Sequence, residues 1–153
     1  MSKVAITPQS DLVSYDKDYF AWTKINTELL RQQRFSEIDF THVAEELEDM
    51  GKRERRALES QIRNVVLHLL KWQYQPEQRS ISWRQSIRNG RIEIQKILRD
   101  SPSLGGQLPE MLVSEYPAAR ADASDETELH EQTFPVDCPF AAGQLVDEGY
   151  WPT

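Results

Sequence analysis

The feature that most constrains this chain is the run from Phe40 to Tyr74, which contains no proline and repeats apolar side chains at helical spacing. Val43, Leu47, Met50, Leu58, Ile62, Val65, Leu69 and Trp72 return to one side at about 100° per residue. The spacing predicts one long helix capped by Asp39 or Thr41. Gly51 marks the place where it would kink or break, since glycine costs about 1 kcal/mol inside a helix. Pro76 ends it, because proline restricts its predecessor and brings no N–H to the ladder.

The remaining segments read the same way. A first helix is predicted from Asp16 to about Arg34, with Tyr15, Tyr19, Trp22, Leu29 and Leu30 on one side. A third starts after Ser82, with Gln85 completing a capping box. Trp83, Ile87, Gly90, Ile94, Ile97 and Leu98 form its inner face, and Ser101-Pro102 stops it. Residues 103–129 read as one or two shorter helices, Pro117 opening the second. From Thr133 the chain is Pro-rich, with Phe134, Phe140, Tyr150 and Trp151 as apolar anchors. No segment alternates with the period of a strand. The expected fold is all-α, an antiparallel bundle of four to five helices with a Pro-rich, aromatic-anchored C-terminal tail. Residues 1–14 are expected to fray, and 15–153 to form one domain, tail 133–153 included.

With 153 residues, 39% hydrophobic, the chain is long enough to bury a core. It has one cysteine, Cys138, so neither an internal disulfide nor a multi-cysteine zinc site can form. Asp137 beside it argues against a reactive thiolate. The N-terminus shows no signal-peptide pattern, and no apolar run approaches a membrane span, so a cytoplasmic protein is expected. The net charge of −7 is uneven: residues 71–99 hold 7 basic and 2 acidic side chains, and residues 100–153 hold 1 and 11. The acidic third is expected to fold over the basic segment, leaving polyanion binding as the lesser alternative.

On the long helix, Glu54, Gln61 and His68 recur every seven residues at the border of the apolar arc, and Glu46 extends the row. A buried carboxylate must be paired, partly wet or functional. These residues are the catalytic candidates, and Glu46, Glu54 and His68 the weaker candidates for a divalent metal. The Glu-x-x-His signature of metal-binding bundles is missing: His42 precedes Glu45 in the reversed sense, and His130 sits among Glu128 and Glu131. A second group, Arg79, Arg84, Arg88 and Arg91, lies around the start of the third helix, with Trp83 near by. Arginine forks and exposed amides suit a phosphate or carboxylate, although Trp83 falls on the core face. Lys52, Arg53, Arg55 and Arg56 read as a solvated face paired with Glu45, Glu48, Asp49 and Glu59. No phosphate loop, dinucleotide fingerprint, nucleophile elbow or His-Glu-x-x-His is present.

The stretches AEELEDMGKRERRALES (44–60) and HLLKWQYQPEQRSISWRQSI (68–87), followed by LRDSPSL, EYPAARADASDET and FPVDCPF, occur in an order that resembles the bacterial family catalogued as domain of unknown function number twenty-nine. The resemblance runs from about Tyr15 to Pro152 and implies a small helical protein, with no activity, cofactor or catalytic residue attached. The favoured reading is a non-enzymatic interaction or regulatory module with a protein partner and no cofactor. The alternative is a small enzyme or RNA-acting protein with a polar, metal-binding site in the bundle core.

Overall fold

The computed structural model describes residues 13–153, so the expected frayed start falls mostly on residues outside those described. The fold class is an all-α bundle, 77% helical and without a strand among the described residues. The helices are α1 (Tyr19–Arg31), α2 (Phe40–Tyr74), α3 (Ile81–Asp100), α4 (Leu108–Thr127) and the short α5 (Ala142–Val146). The contacts divide the chain into two compact units, Met1–Gly51 and Lys52–Thr153.

In the first unit, α1 begins later than expected. Asp18, not Asp16, is the cap, its carboxylate accepting from the Ala21 N–H at 2.9 Å. α1 ends at Arg31 because Gln33 turns into the left-handed region, φ 56°, and lets the Arg34 N–H reach the Leu29 carbonyl. Trp22, Leu29 and Ile38 are buried, whereas Leu30 and Tyr19 face outward. The start of α2 corrects the sequence reading further: Leu47 is 64% exposed and Met50 58% exposed, although the periodicity placed them in the core. Periodicity identifies a stripe but not whether another element covers it.

The second unit holds the main core. Leu58, Ile62, Val65, Val66, Leu69 and Leu70 of α2 are fully buried against Ile87 and Ile94 of α3 and Met111, Ala119 and Ala123 of α4. α3 starts two residues earlier than predicted, with Ser80 as its cap in place of Ser82 and the Trp83 N–H donating to the Ser80 hydroxyl. Gly90 is where α3 meets α2. A Cβ there would stand 2.5 Å from Val65 Cγ2, so only glycine lets the two backbones approach. Gly51 makes no such demand, since an added Cβ would meet nothing within 4 Å, and α2 continues through it.

Pro117 does not begin a new helix; it lies inside α4. Its ring and the Val113 carbonyl it leaves unpaired lie on an exposed stretch, where water can satisfy the carbonyl. Met111, Leu112, Tyr116 and Ala119, all buried, hold the helix on both sides of the break in the ladder. The tail packs as expected, with Phe134, Phe140 and Leu145 buried. Tyr116 donates its hydroxyl to the Pro135 carbonyl, and Arg120 Nε donates to that of Phe134 at 3.2 Å. Burial pushes the Tyr116 phenol up to about 12.

Candidate functional site

The polar row on α2 is half-buried along its length. Glu54 accepts from the Ser101 hydroxyl at 3.3 Å, and Gln61 lies beside Gly90. His68 Nδ1 donates to the Asn64 carbonyl at 2.8 Å, one turn back on its own helix. Each side chain thus has its own local surroundings, and the fourteen-residue step from Glu54 to His68 is roughly 21 Å along the axis. Among the described residues no three His, Cys, Asp or Glu side chains gather so as to hold a metal ion.

The arginines separate into two kinds. Arg79 Nε donates to the Trp72 carbonyl at 2.8 Å and its guanidinium lies 4.9 Å from the Trp72 ring, closing the end of α2. Arg91 is only 1% exposed. Its Nε donates to the Leu145 carbonyl at 3.1 Å, and its Nη2 to the carbonyls of Gln144 at 2.9 Å and Tyr150 at 2.8 Å. Burial holds its pKa below the usual arginine value, while Asp147 and Glu148 act in the other direction. Arg91 therefore fastens the tail to α3 by a three-carbonyl clamp, and Gln95 adds a bond to the Val146 carbonyl at 2.8 Å. Arg84 and Arg88 are exposed, and with Arg91, Glu148 and Trp151 they line a pocket of about 250 Å³. The acidic third meets the basic segment at Arg91, through backbone carbonyls, and at Lys71, through Glu126 at 2.7 Å; Arg79, Arg84, Arg88, Lys96 and Arg99 stay exposed, so most of the basic charge is left uncovered. Trp83 is half-buried under the Lys71 ammonium, 4.7 Å from its ring centre, and so stands at the rim of the core.

A third constellation escaped the sequence reading. In the first unit, Asp39 takes bonds from Trp22 Nε1 at 2.9 Å and His42 Nδ1 at 2.7 Å, while its own N–H donates to Asn26 at 2.9 Å. The Tyr15 ring stacks on His42 at 4.3 Å, and the hydroxyls of Tyr15 and Tyr19 both donate to Glu46. The bond to Glu46 pushes the Tyr15 phenol up to about 12. A pocket of about 160 Å³ opens beside this knot. The available signal was Asp-x-x-His at a helix start, where a capping carboxylate meets a side chain one turn on. Reading His42 against Glu45 missed it.

The two helical histidines titrate in opposite directions. The Asp39 bond raises the His42 pKa against some desolvation. Burial lowers that of His68, partly offset by the Asn64 carbonyl. At Asp39, burial pushes the carboxyl up, but the bonds from Trp22 and His42 prevail and leave it below its ordinary value. His42 thus contributes stability below the ordinary histidine range, lost as pH rises through its raised folded pKa. His68 contributes none at high pH and destabilises as pH falls below the ordinary range, because the unfolded chain takes the proton first. Imidazole resonances followed by NMR should give His42 the higher midpoint, and Asp39→Asn should lower it. A His68 midpoint above that of His42 would refute this assignment.

Residues 14–151 match the family model described as Domain of unknown function DUF29. The chain belongs to that family. No curated protein and no solved structure matches it. In this DUF29 chain the matched region takes in α1 to α5 and the clamped tail, and among the described residues no helix is long and apolar enough to cross a membrane. The family assignment carries no activity. The most distinctive surface is the first half of α2, where Phe40 (56% exposed), Leu47 and Met50 line up with half-buried Val43. Their spacing, three and four residues alternately, is that of a coiled-coil seam. α1 takes the neighbouring face through His42 and Glu46, leaving the seam open.

Proposed function

We propose that this protein is a non-enzymatic interaction module that docks a helical protein segment along Phe40, Val43, Leu47 and Met50. The observation that carries the reading is the exposure of three large apolar side chains at seam spacing on a well-formed helix. Soluble chains seldom leave such a stripe in water unless something covers it. The reading calls for no cofactor. The lone, half-buried Cys138 fits a cytoplasmic setting, as its thiol is pushed up by burial and bonds the Phe140 carbonyl at 3.5 Å. A photo-cross-linking residue at Leu47 should capture one defined protein species, and one at exposed Glu93 should not. Leu47→Glu with Met50→Glu should abolish the capture while the helix content stays unchanged. Equal labelling from both positions would refute the reading.

A second reading rests on the pocket formed by Arg84, Arg88 and Trp151, whose two unclamped guanidinium groups suit a phosphate or carboxylate. It supports the alternative of a small enzyme or RNA-acting protein. Glu54, Gln61 and His68 would be its polar residues.

A further inference from the structure

Building on the second reading above, an anion site in the pocket of Arg84, Arg88 and Trp151, we propose that its ligand is a small phosphate monoester, bound by Arg84, Arg88 and Nη1 of Arg91.

The pocket lies wholly within the second unit. Arg84, Arg88 and Arg91 follow one another at steps of four and three residues, so they share one stripe of α3. Like charges so placed repel, and the chain does not answer the first two. Among the described residues Arg88 makes no hydrogen bond or ion pair, and Arg84 makes no ion pair and lies over the Trp72 ring at 5.8 Å.

Arg91 supplies the buried part of the site. Its Nε and Nη2 are taken by the tail carbonyls, which fixes the plane of the guanidinium. Its Nη1 donates to nothing among the described residues. The fully enclosed side-chain oxygen or nitrogen left without a partner there is Gln73 Oε1, so Arg91 Nη1 is not sealed off, although the residue is only 1% exposed. Arg91 lines the pocket of about 250 Å³, and that pocket is the opening Nη1 has. A guanidinium already held in place, with one N–H edge free, is preorganised for an oxyanion.

The other wall comes from the tail. The Trp151 ring is seated against Trp72 at 4.8 Å and against the Arg91 guanidinium at 5.5 Å. Glu148 shares the lining, yet its carboxylate comes within 4.0 Å of none of the arginine nitrogens, so acid and base stand in one pocket without pairing. Three guanidinium groups and one carboxylate give the lining a net charge of +2. A carboxylate ligand would leave one cation unanswered. A phosphate monoester carries nearly two negative charges at neutral pH, and its three terminal oxygens can serve three donors. A nucleic-acid backbone fits less well, because its phosphates are singly charged and the next ones along would meet exposed Asp147 and Glu148. Since α3 gives the arginines and the tail gives Glu148 and Trp151, the ligand also holds the tail closed by linkage.

Methyl phosphate, dimethyl phosphate and acetate, each titrated while the Trp151 indole resonance is followed by NMR, separate the ligand classes. Methyl phosphate should bind roughly tenfold or more tightly than the other two, the worth of one further charged bond. Its affinity should fall as pH drops through about 6, where the phosphate regains a proton. Arg84→Gln with Arg88→Gln should weaken it by roughly tenfold or more with unchanged circular dichroism, as both side chains are exposed. Arg99→Gln, exposed on the same helix but outside the pocket, should leave it unaltered. At ten times its dissociation constant methyl phosphate should slow proteolysis of the wild-type tail about tenfold, and that of the double variant no more than about twofold. Acetate binding as tightly as methyl phosphate, and lost with Arg84 and Arg88, overturns the monoester and leaves the anion site standing. An RNA oligomer without a terminal phosphate that binds there more tightly than methyl phosphate overturns the monoester in favour of RNA. Binding of no anion, or binding indifferent to Arg84→Gln with Arg88→Gln, overturns both.

Discussion

Exchanging Arg91 for methionine lowers stability by about 4 kcal/mol and releases the carboxy-terminal segment from α3. The side chain is 1% exposed and its guanidinium serves three carbonyls, those of Gln144, Leu145 and Tyr150. Each buried acceptor left without a donor costs roughly 1–3 kcal/mol, and hydrogen bonds from a charged donor stand at the strong end of their range. Methionine keeps most of the apolar stem, so the loss reports the polar clamp and not a cavity. The ring of Trp151, 5.5 Å from the guanidinium, loses its cationic neighbour as well. Urea unfolding measures the energy, and limited proteolysis shows the tail opening. A loss below about 1 kcal/mol, with the tail still protected, would mean that water replaces the guanidinium and that the clamp is not structural.

Truncating Trp72 to alanine has a comparable effect, about 3–5 kcal/mol, the range for a buried tryptophan. Trp72 is 8% exposed near the end of α2, and the Trp151 ring lies 4.8 Å from it. Arg79 and Arg84 lie over its ring at 4.9 and 5.8 Å, so the substitution disturbs the end of α2, the start of α3 and the tail together. Trp72→Phe should recover more than half of the loss by restoring an aromatic pair. Trp83→Ala should cost clearly less, because that ring is half-buried beneath Lys71. Equal costs at the two positions in denaturant melts would show that both rings share one core environment, against the geometry described.

Much of this molecule is readable from local pattern. The bounds of α2 follow from the apolar period and from Pro76, and both are properties of a short window. The same holds for the buried ridge Leu58, Ile62, Val65 and Leu69 and for the aromatic anchoring of the tail. Local chemistry was less decisive where neighbouring residues compete for one role. Asp16 and Asp18 are both good caps, as are Ser80 and Ser82, and the choice depends on which turn packs. Proline costs an interior hydrogen bond, so local chemistry points to Pro117 as a helix start. It is tolerated because that segment of α4 is exposed and the buried residues on either side hold the helix together.

The candidate sites separate in the same way. Glu54, Gln61 and His68 do share one side of α2, but facing elements give each a local partner or neighbour, and no common centre forms among the described residues. For Arg91, its charge and its neighbours Arg84 and Arg88 point to an anion binder. Its three acceptors lie 53, 54 and 59 residues away, beyond the reach of any local pattern. The Asp39–His42 knot has the reverse character: its i,i+3 spacing is local, while Tyr15, from the turn before α1, and Trp22, from α1, arrive from elsewhere to give it shape.

By itself the sequence determined that the chain is helical, where its longest helix runs, which stripe of it is apolar and where its charges change sign. Tertiary structure alone decided that the stripe is covered from Leu58 onward and open from Phe40 to Met50, and that one arginine of four becomes a buried clamp. The physical reason is that periodicity and charge order are set within a few turns of chain, whereas burial depends on which distant element arrives to displace the water.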